Sequence, residues 1–453
     1  MALGRNGLWR SALFLVACAL ALASQLPQTG LVRSHAKTSD SQPGSFAGSR
    51  PAGCAEVTPA EGLQTEIDAA PAGGVICLAD GVYSGPVLIE KPLTIWGSHS
   101  AIIQSMGSGS TLTVLGDQVQ LLGLTVRGSG NRFDLNDSAL KVNGSHVLIQ
   151  GLRLEGALFG LTAEQASDVT FRGNTIDGDA QKPLGLRGDA VRLWQTRDSK
   201  IEQNRITDCR DIIIWYSSHT RVANNVIDGG RYGTHFMYSD HEEVLNNRYY
   251  RTVVGIFSMY AHAIIIRRNL IQDASQSDGM GIGVKDSDGL LVDGNRIVRD
   301  NTGIYLDASP RSAELQNVFR RNLVALNNAA IVFHAAESNT TLKDNSFRDN
   351  QIVISVEGNG DGLHAKWVGN YFEDYQGYDL NHDGFGDVPY ELRSFSTELT
   401  EHYPNLAFFR GSPSMKLMEF FSKVFPYLQP KLILRDAAPR MRPLGTTGGL
   451  NGH

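Results

Sequence analysis

The sequence predicts an all-β chain: a right-handed parallel β-helix with an N-terminal capping helix and a C-terminal helical or irregular tail. Three observations carry this reading. The first is an asparagine that recurs in one context: FRGNTI (Asn174), IEQNRI (Asn204), VANNVI (Asn225), VLNNRY (Asn247), IRRNLI (Asn269), VDGNRI (Asn295), LKDNSF (Asn345) and WVGNYF (Asn370). From Asn204 to Asn295 the spacings are 21, 22, 22 and 26. Leu124 and Leu152 hold the same place upstream, and the copy around LQNVF reads as one residue short, with Leu315 two before Asn317. A period of this size is one coil of a solenoid. A side-chain amide repeated in each coil can bond its own turn and the coil above, at the ~4.8 Å inter-strand rise. The second observation is that each copy holds short alternating β-prone runs separated by Gly, Asn, Asp and Ser. The third is an absence. The LxxLxL strand of leucine-rich repeats is missing, and helix-forming stretches are scarce between Leu112 and Trp367.

The elements follow in order. Residues 1–23 carry Arg5 and Arg10, then the apolar run ALFLVACALALA from Ala12 to Ala23. That run is too short to span a bilayer and ends in the small-x-small site Ala21-Leu22-Ala23, so it reads as a secretory signal. Leu15-Val16-Ala17-Cys18 resembles a lipoprotein cleavage box, which would anchor the chain through Cys18; either route exports it. Residues 24–50, rich in Ser, Gly, Gln and Pro, read as a flexible leader, and 51–377 as the β-helix. GLQTEIDAAPAGGVICLADGVYSGPVLIEKPLTIWG opens it with a short helix that covers the open end of the stack, followed by strands. Three cysteines remain after export. An oxidising compartment permits a Cys54–Cys77 disulfide, the alternative is three buried thiols, and Cys209 is unpaired in either case. The formal net charge of -6, with no basic cluster, points away from a nucleic-acid partner.

Period two assigns side chains to faces. Thirteen residues before the asparagines stand Val191, Ile212, Thr234, Ile256, Ile282 and Ile304; eleven before stand Leu193, Ile214, Phe236, Ser258, Val284 and Leu306. These columns point inward. The alternate columns, which must point outward, hold Arg192, Ile213, His235, Phe257, Gly283 and Tyr305, then Trp194, Trp215, Met237, Met259, Lys285 and Asp307, with Tyr216, Tyr238 and Tyr260 beside them. An apolar surface on a face that should be wet marks an interaction site or something covering it. One reading is that the C-terminal segment packs over it. Another is a partner surface made of Trp194, Trp215, His235, Phe257, Tyr238 and Tyr260. A third is a copper(I) site, because thioether and imidazole select soft metal; its candidate ligands are Met237, Met259, His241 and His262, with His219 and His235 on the same coils.

Residues 378–390, YDLNHDGFGDVPY, place oxygen donors at alternate positions: Asp379, Asn381, Asp383, the Phe385 carbonyl and Asp387. Gly384 at the sixth position permits the sharp turn of a D-x-[DN]-x-[DN]-G calcium loop. The twelfth position is Tyr390 and not a bidentate glutamate, so the expectation is an isolated, weak, structural Ca²⁺ loop; the alternative is a solvated Asx turn. The tail, 391–453, contains SPSMKLMEFFSKVFPYL, with Met415, Met418, Phe421 and Val424 or Phe425 at helical spacing between Pro413 and Pro426. It either closes the end of the coil stack or docks on a partner.

Together the opening LADGVYSGPVLIEKPLTIWG, the coils around GTHFMYSDHEEVLNNR and the ending WVGNYFEDYQGYDLNHDGFGDVPY with its apolar tail resemble the NosD family, periplasmic accessory proteins of nitrous oxide reductase maturation in denitrification. The last stretch is the most specific. The resemblance implies a carbohydrate-binding-like β-helix and no reaction. It implies work with the membrane and ATPase subunits of an ABC transporter, a copper-chaperone lipoprotein and the reductase itself. It assigns no ligand residue. The alternative is a Ca-dependent polysaccharide lyase or epimerase, a common occupation of parallel β-helices, with Tyr238, Ser239, Asp240 and His241 beside Tyr216, His219 and Tyr260 imitating its site. Against it, no paired aspartates with an Arg or Lys cluster stand on adjacent coils, and the face is apolar where an anionic polymer would need a basic one.

Overall fold

The recurring asparagines stack. In the computed structural model, which describes residues 49–335, 339–357, 362–395, 399, 403–409, 412–424 and 430–444, Asn204 donates its backbone N–H and its amide Nδ2 to Asn225 Oδ1 at 2.9 and 3.0 Å. It also donates Nδ2 to the Phe171 carbonyl of the preceding coil at 2.9 Å. The same geometry repeats through Asn225, Asn247, Asn269 and Asn295. Leu152, at the place read from its sequence context, donates its N–H to Asn174 Oδ1. All of these amides are buried. Each therefore needs every hydrogen bond it makes, since a buried orphan costs about 1–3 kcal/mol.

One rung differs from the sequence reading. Asn322, in FRRNLV, stands between Asn295 and Asn345 in the ladder. Asn317 belongs to another corner, where its Oδ1 accepts from Leu290 N and its Nδ2 donates to Ser287 O. No residue is missing from that copy. A longer turn at 308–316 separates strands Thr302–Asp307 and Asn317–Arg320 and displaces the motif.

Around this spine the described residues wind three sheets of sixteen, twelve and thirteen strands, in which neighbours along the coil stack are every third strand in sequence. The pairings between successive coils are parallel, whereas Tyr390–Ser394 and Lys431–Asp436 pair antiparallel, with a further antiparallel bridge between Phe385 and Arg440. The interior is a continuous column of Ile, Val, Leu and stacked aromatics, among them Phe347, Phe372 and Tyr390, whose rings lie 5.4 and 3.9 Å apart in sequence.

Both ends are closed. At the N-terminal end α1 (Leu63–Ala69) buries Leu63 and Ile67, and a Cys54–Cys77 disulfide holds the first strand. Cys209 is free and buried, and burial pushes its thiol far above the ordinary range. At the other end strand Lys431–Asp436 continues the sixteen-stranded sheet beyond Trp367 and buries Ile433 and Leu434. Asp436 finishes the ladder: its carboxylate accepts from Asn370 N and Nδ2 and from Gly369 N. An acceptor-only group suits a last rung, which has no further coil to bond.

The tail helix forms as expected, α2 spanning Pro413–Val424. Its expected apolar stripe is not a buried one. Met415 is buried, whereas Met418 and Phe421 are exposed together with Leu417 and Phe420. The signal segment, nearly all of the leader, Phe425 and Pro426 lie outside the described residues. Among the described residues no helix is long and apolar enough to cross a membrane.

Candidate functional site

Parity places the columns correctly, and the register confirms it: Val191 pairs with Ile212, Ile214 with Phe236, and Phe236 with Ser258. Every residue of the two inward columns is buried. The outward face of the twelve-stranded sheet is drier than parity implies. Ile213 and His235 are only 1% and 5% exposed. Trp194, Trp215, Met237, Phe257 and Met259 are half-buried.

Local side chains provide the cover. The Arg192 guanidinium lies over the rings of Trp194 and Trp215, at 5.6 and 5.2 Å. It is held by Asp189 at 3.3 Å. Tyr232, from the start of the next strand, sets its ring 4.7 Å from His235 and 5.6 Å from Phe257. Arg231 lies over Tyr232 at 4.6 Å and pairs with the fully buried side chain of Asp211. Contrary to the sequence expectation, two aspartates on adjacent coils, Asp189 and Asp211, therefore do stand among arginines, Arg192, Arg210 and Arg231, with both carboxylates buried in ion pairs. A register shift between Asp211 and Ile213 lifts this strand start so that Asp211 Oδ1 can accept from Tyr232 N. These supports combine long-range charge with a bulge, and strand periodicity carries no trace of either. The pair RY immediately before GTHFM was the only local hint.

His235 is the centre of this cluster. Its Nε2 is 3.4 Å from Met259 Sδ. Its Nδ1 is buried with no partner, and so is Nε1 of Trp215, whose ring stands edge-on 5.6 Å away. Burial pushes the imidazole down to about 4, with Asp211 pulling the other way and Arg231 adding to the depression. Met237 and Met259 are register partners on adjacent coils.

His241 and His262 do not join the methionines through any ring or hydrogen-bond contact described for them. They sit at the next corner with His219, where His219 and His241 stack at 5.2 Å and His241 meets His262 edge-on at 6.0 Å. His241 Nδ1 is 3.2 Å from Asp240 Oδ2. Beneath them Glu242 is buried, accepts from Thr220 N, and is pushed up to about 8 by desolvation. Among the described residues no three His, Cys, Asp or Glu groups converge as a metal site.

Tyr216, Tyr238 and Tyr260 do form a row. Their rings stack at 5.1 and 5.0 Å, and Trp194 adds a fourth member at 5.0 Å from Tyr216. The acidic loop folds as a tight turn with Gly384 at φ 87°. There Asp379 accepts from Asp383 N and Gly384 N, Asp383 from Phe385 N, and Asp387 from Leu380 N. The carboxylates thus cap backbone amides of their own turn.

A family model described as "Periplasmic copper-binding protein (NosD)" matches residues 172–377, the coils that carry this face. Two curated relatives are described as "Probable ABC transporter binding protein NosD". The one from Stutzerimonas stutzeri is 27% identical over 392 residues, 81% of this chain and 86% of that protein. The one from Pseudomonas aeruginosa is 28% identical over 436 residues, 86% of this chain and 92% of that protein. Among solved structures, the A-module of the Azotobacter vinelandii mannuronan C-5 epimerase AlgE6 superposes with TM-score 0.52 at 14% identity, covering 67% of this chain and 94% of that one. That likeness extends to the fold alone.

Proposed function

We propose that this chain, which belongs to the NosD family, is a periplasmic maturation factor for nitrous oxide reductase that handles copper(I) as cargo and catalyses no reaction. It works beside the membrane and ATPase subunits of an ABC transporter, a copper-chaperone lipoprotein and the reductase. The observation that carries the reading is the contact of Met259 Sδ with His235 Nε2 on the outward face of the family-matched coils. A thioether and an imidazole in contact, with a second thioether on Met237 one coil away, are the donor types that favour cuprous ion over harder metals. The unpartnered Nδ1 of His235 is consistent with a ring that turns to offer either nitrogen. His241 and His262 form a separate imidazole set, so the reading rests on His235, Met237 and Met259. Arg192, Tyr232 and the aromatic rings exclude water around them, and the exposed apolar residues of α2 suit contact with a transporter partner.

Anaerobic copper(I) titration against a chromogenic chelator tests this. Wild type should take up metal. Met259→Leu and His235→Leu should each weaken affinity at least tenfold, about 1.4 kcal/mol. Unchanged titration in both variants overturns the assignment.

For the acidic loop, ligand spacing supports weak structural Ca²⁺ binding by Asp379, Asn381, Asp383, the Phe385 carbonyl and Asp387, on the order of 10⁻⁴–10⁻³ M. Millimolar Ca²⁺ should raise the melting temperature of metal-stripped protein and leave that of Asp383→Ala unmoved. A wild type indifferent to calcium removes the ion from the account.

A further inference from the structure

We propose that Trp215, Trp194, Tyr216, Tyr238 and Tyr260 form an electron-hole relay. A one-electron oxidation suffered at the Met259–His235 cluster is passed along this row to phenols at the surface, so that the sulfur is not the group consumed. The proposal rests on the copper reading only for the natural source of oxidant, cuprous ion with peroxide.

The path is continuous. From Met259 Sδ to His235 Nε2 is 3.4 Å, and from the His235 ring to Trp215 is 5.6 Å. The ring steps that follow are Trp215 to Trp194 at 5.8 Å, Trp194 to Tyr216 at 5.0 Å, Tyr216 to Tyr238 at 5.1 Å and Tyr238 to Tyr260 at 5.0 Å. Indole and phenol are among the side chains most readily oxidised by one electron, and a thioether radical cation is a stronger oxidant than either. The hole therefore runs downhill from the sulfur, and His235 serves as a spacer. Stacking alone does not account for the choice of residue. The corner column that holds the three tyrosines holds Gln165, Gln195, Asp286 and Ala308 on the flanking coils, all at left-handed φ. That backbone region is unfavourable for a bulky side chain. Tyrosine occupies it on the coils of Trp215, Met237 and Met259.

The protons are arranged to match. Trp215 Nε1 is buried without an acceptor. Its oxidised indole therefore keeps the N–H proton, stays a strong oxidant and draws an electron from Trp194. Tyr216 and Tyr238 are 45% and 48% exposed, so each phenol can release its proton to water as the electron leaves. The sequence balances as follows. Cuprous ion gives one electron to peroxide, forming cupric ion, hydroxide and hydroxyl radical, and the hydroxyl radical takes one electron from the Met259 sulfur and becomes hydroxide. Trp215 returns an electron to the sulfur, Trp194 to Trp215, and Tyr216 to Trp194 with its O–H proton lost to solvent. The radical passes to Tyr238 or Tyr260 as that phenol gives up its electron and loses its O–H proton to water while Tyr216 regains a proton from water. The last phenoxyl takes a hydrogen atom from a small-molecule reductant such as ascorbate.

Pulse radiolysis of the full chain with azide radical, which oxidises indoles, tests the relay without copper. Wild type should show indolyl absorbance decaying while phenoxyl absorbance grows, at one first-order rate independent of protein concentration. Tyr216→Phe and Trp194→Phe keep a ring in the stack and should slow that phase severalfold. Equal rates in all three proteins overturn the proposal. In a second arm, cuprous ion and peroxide are added and Met259 sulfoxide is measured by peptide mass spectrometry. It should rise severalfold in Trp194→Phe over wild type, and no rise removes the protective role. A chain that takes up no cuprous ion defeats the copper reading, and the radiolysis rates then decide the relay alone.

Discussion

Two columns of side chains climb the same coils and have opposite characters. At one inside corner Asn204, Asn225, Asn247, Asn269 and Asn295 repeat a single residue in a single geometry, with every donor and acceptor used. On the outside of the neighbouring sheet, adjacent rungs carry Trp215, Met237 and Met259, the strand columns change residue type from coil to coil, and two buried nitrogens have no partner. The backbone dictates the first column, because each coil presents the next with the same amides. Nothing within the coil dictates the second. Stability and function are therefore separable here by face, and variants on the two columns of one coil should behave differently.

The largest effect is expected from Asn247→Ala. It removes the Oδ1 that accepts from Asn225 N and Nδ2, and the Nδ2 that donates to Val222 O and Asn269 Oδ1. Several buried groups lose partners at once, so the loss should be about 3–5 kcal/mol. Denaturant unfolding followed by circular dichroism would measure it. A loss under about 1 kcal/mol would mean the coils hold without their ladder and would break the comparison.

The two columns were also unequally legible. The ladder repeats a local context, so most of its rungs were found from letters alone. FRRNLV nearly repeats IRRNLI, but the long 308–316 turn disturbs the spacing, so the period points to LQNVF in its place. Asp436 is unreadable as a rung, since it lies 66 residues beyond Asn370, the amide it meets. On the outer face parity gave the direction of each side chain and nothing about cover. Arg192, Tyr232 and Asp211 reach that face through ion pairs and a bulge, so its dryness and the central place of His235 had no periodic signature.

A second, shorter ladder sharpens the point that the backbone selects amides. Asp300 N donates to Asn327 Oδ1, and Asn327 Nδ2 donates to the Ile297 carbonyl. One coil earlier Asp300 takes the amide's place: Oδ1 accepts from Ala274 N while Oδ2 is buried without a partner. Burial raises this carboxyl to about 8, helped by Asp273 and opposed by Ala274 N–H and Arg299. The folded chain thus keeps a proton that the unfolded chain sheds near 3.8. Stability from this site is full below the unfolded value and falls as pH rises towards about 8, with a slope of about 1.4 kcal/mol per pH unit. Asp300→Asn supplies the missing donor permanently. It should be more stable than wild type at neutral pH and should flatten the pH dependence between those limits. Parallel stability-against-pH curves for the two proteins would show that Asp300 holds no extra proton.

The smallest effect on folding is expected on the outer face. Met259→Leu conserves volume at a half-buried position, so its stability should change by less than about 1 kcal/mol. The denaturant slope should stay unchanged, because the surface exposed on unfolding is the same. Met259 stands on the coil that also carries Asn269. If that coil were a single mechanical unit, replacing either residue would loosen it equally. If the faces are independent, Met259→Leu keeps the denaturant midpoint and loses copper(I) affinity, while Asn269→Ala, like Asn247→Ala, lowers the midpoint and, wherever it remains folded, keeps the affinity. A Met259→Leu protein that unfolds as readily as the ladder variant would show that the sulfur is packing and not a ligand, and the face would then belong to the core.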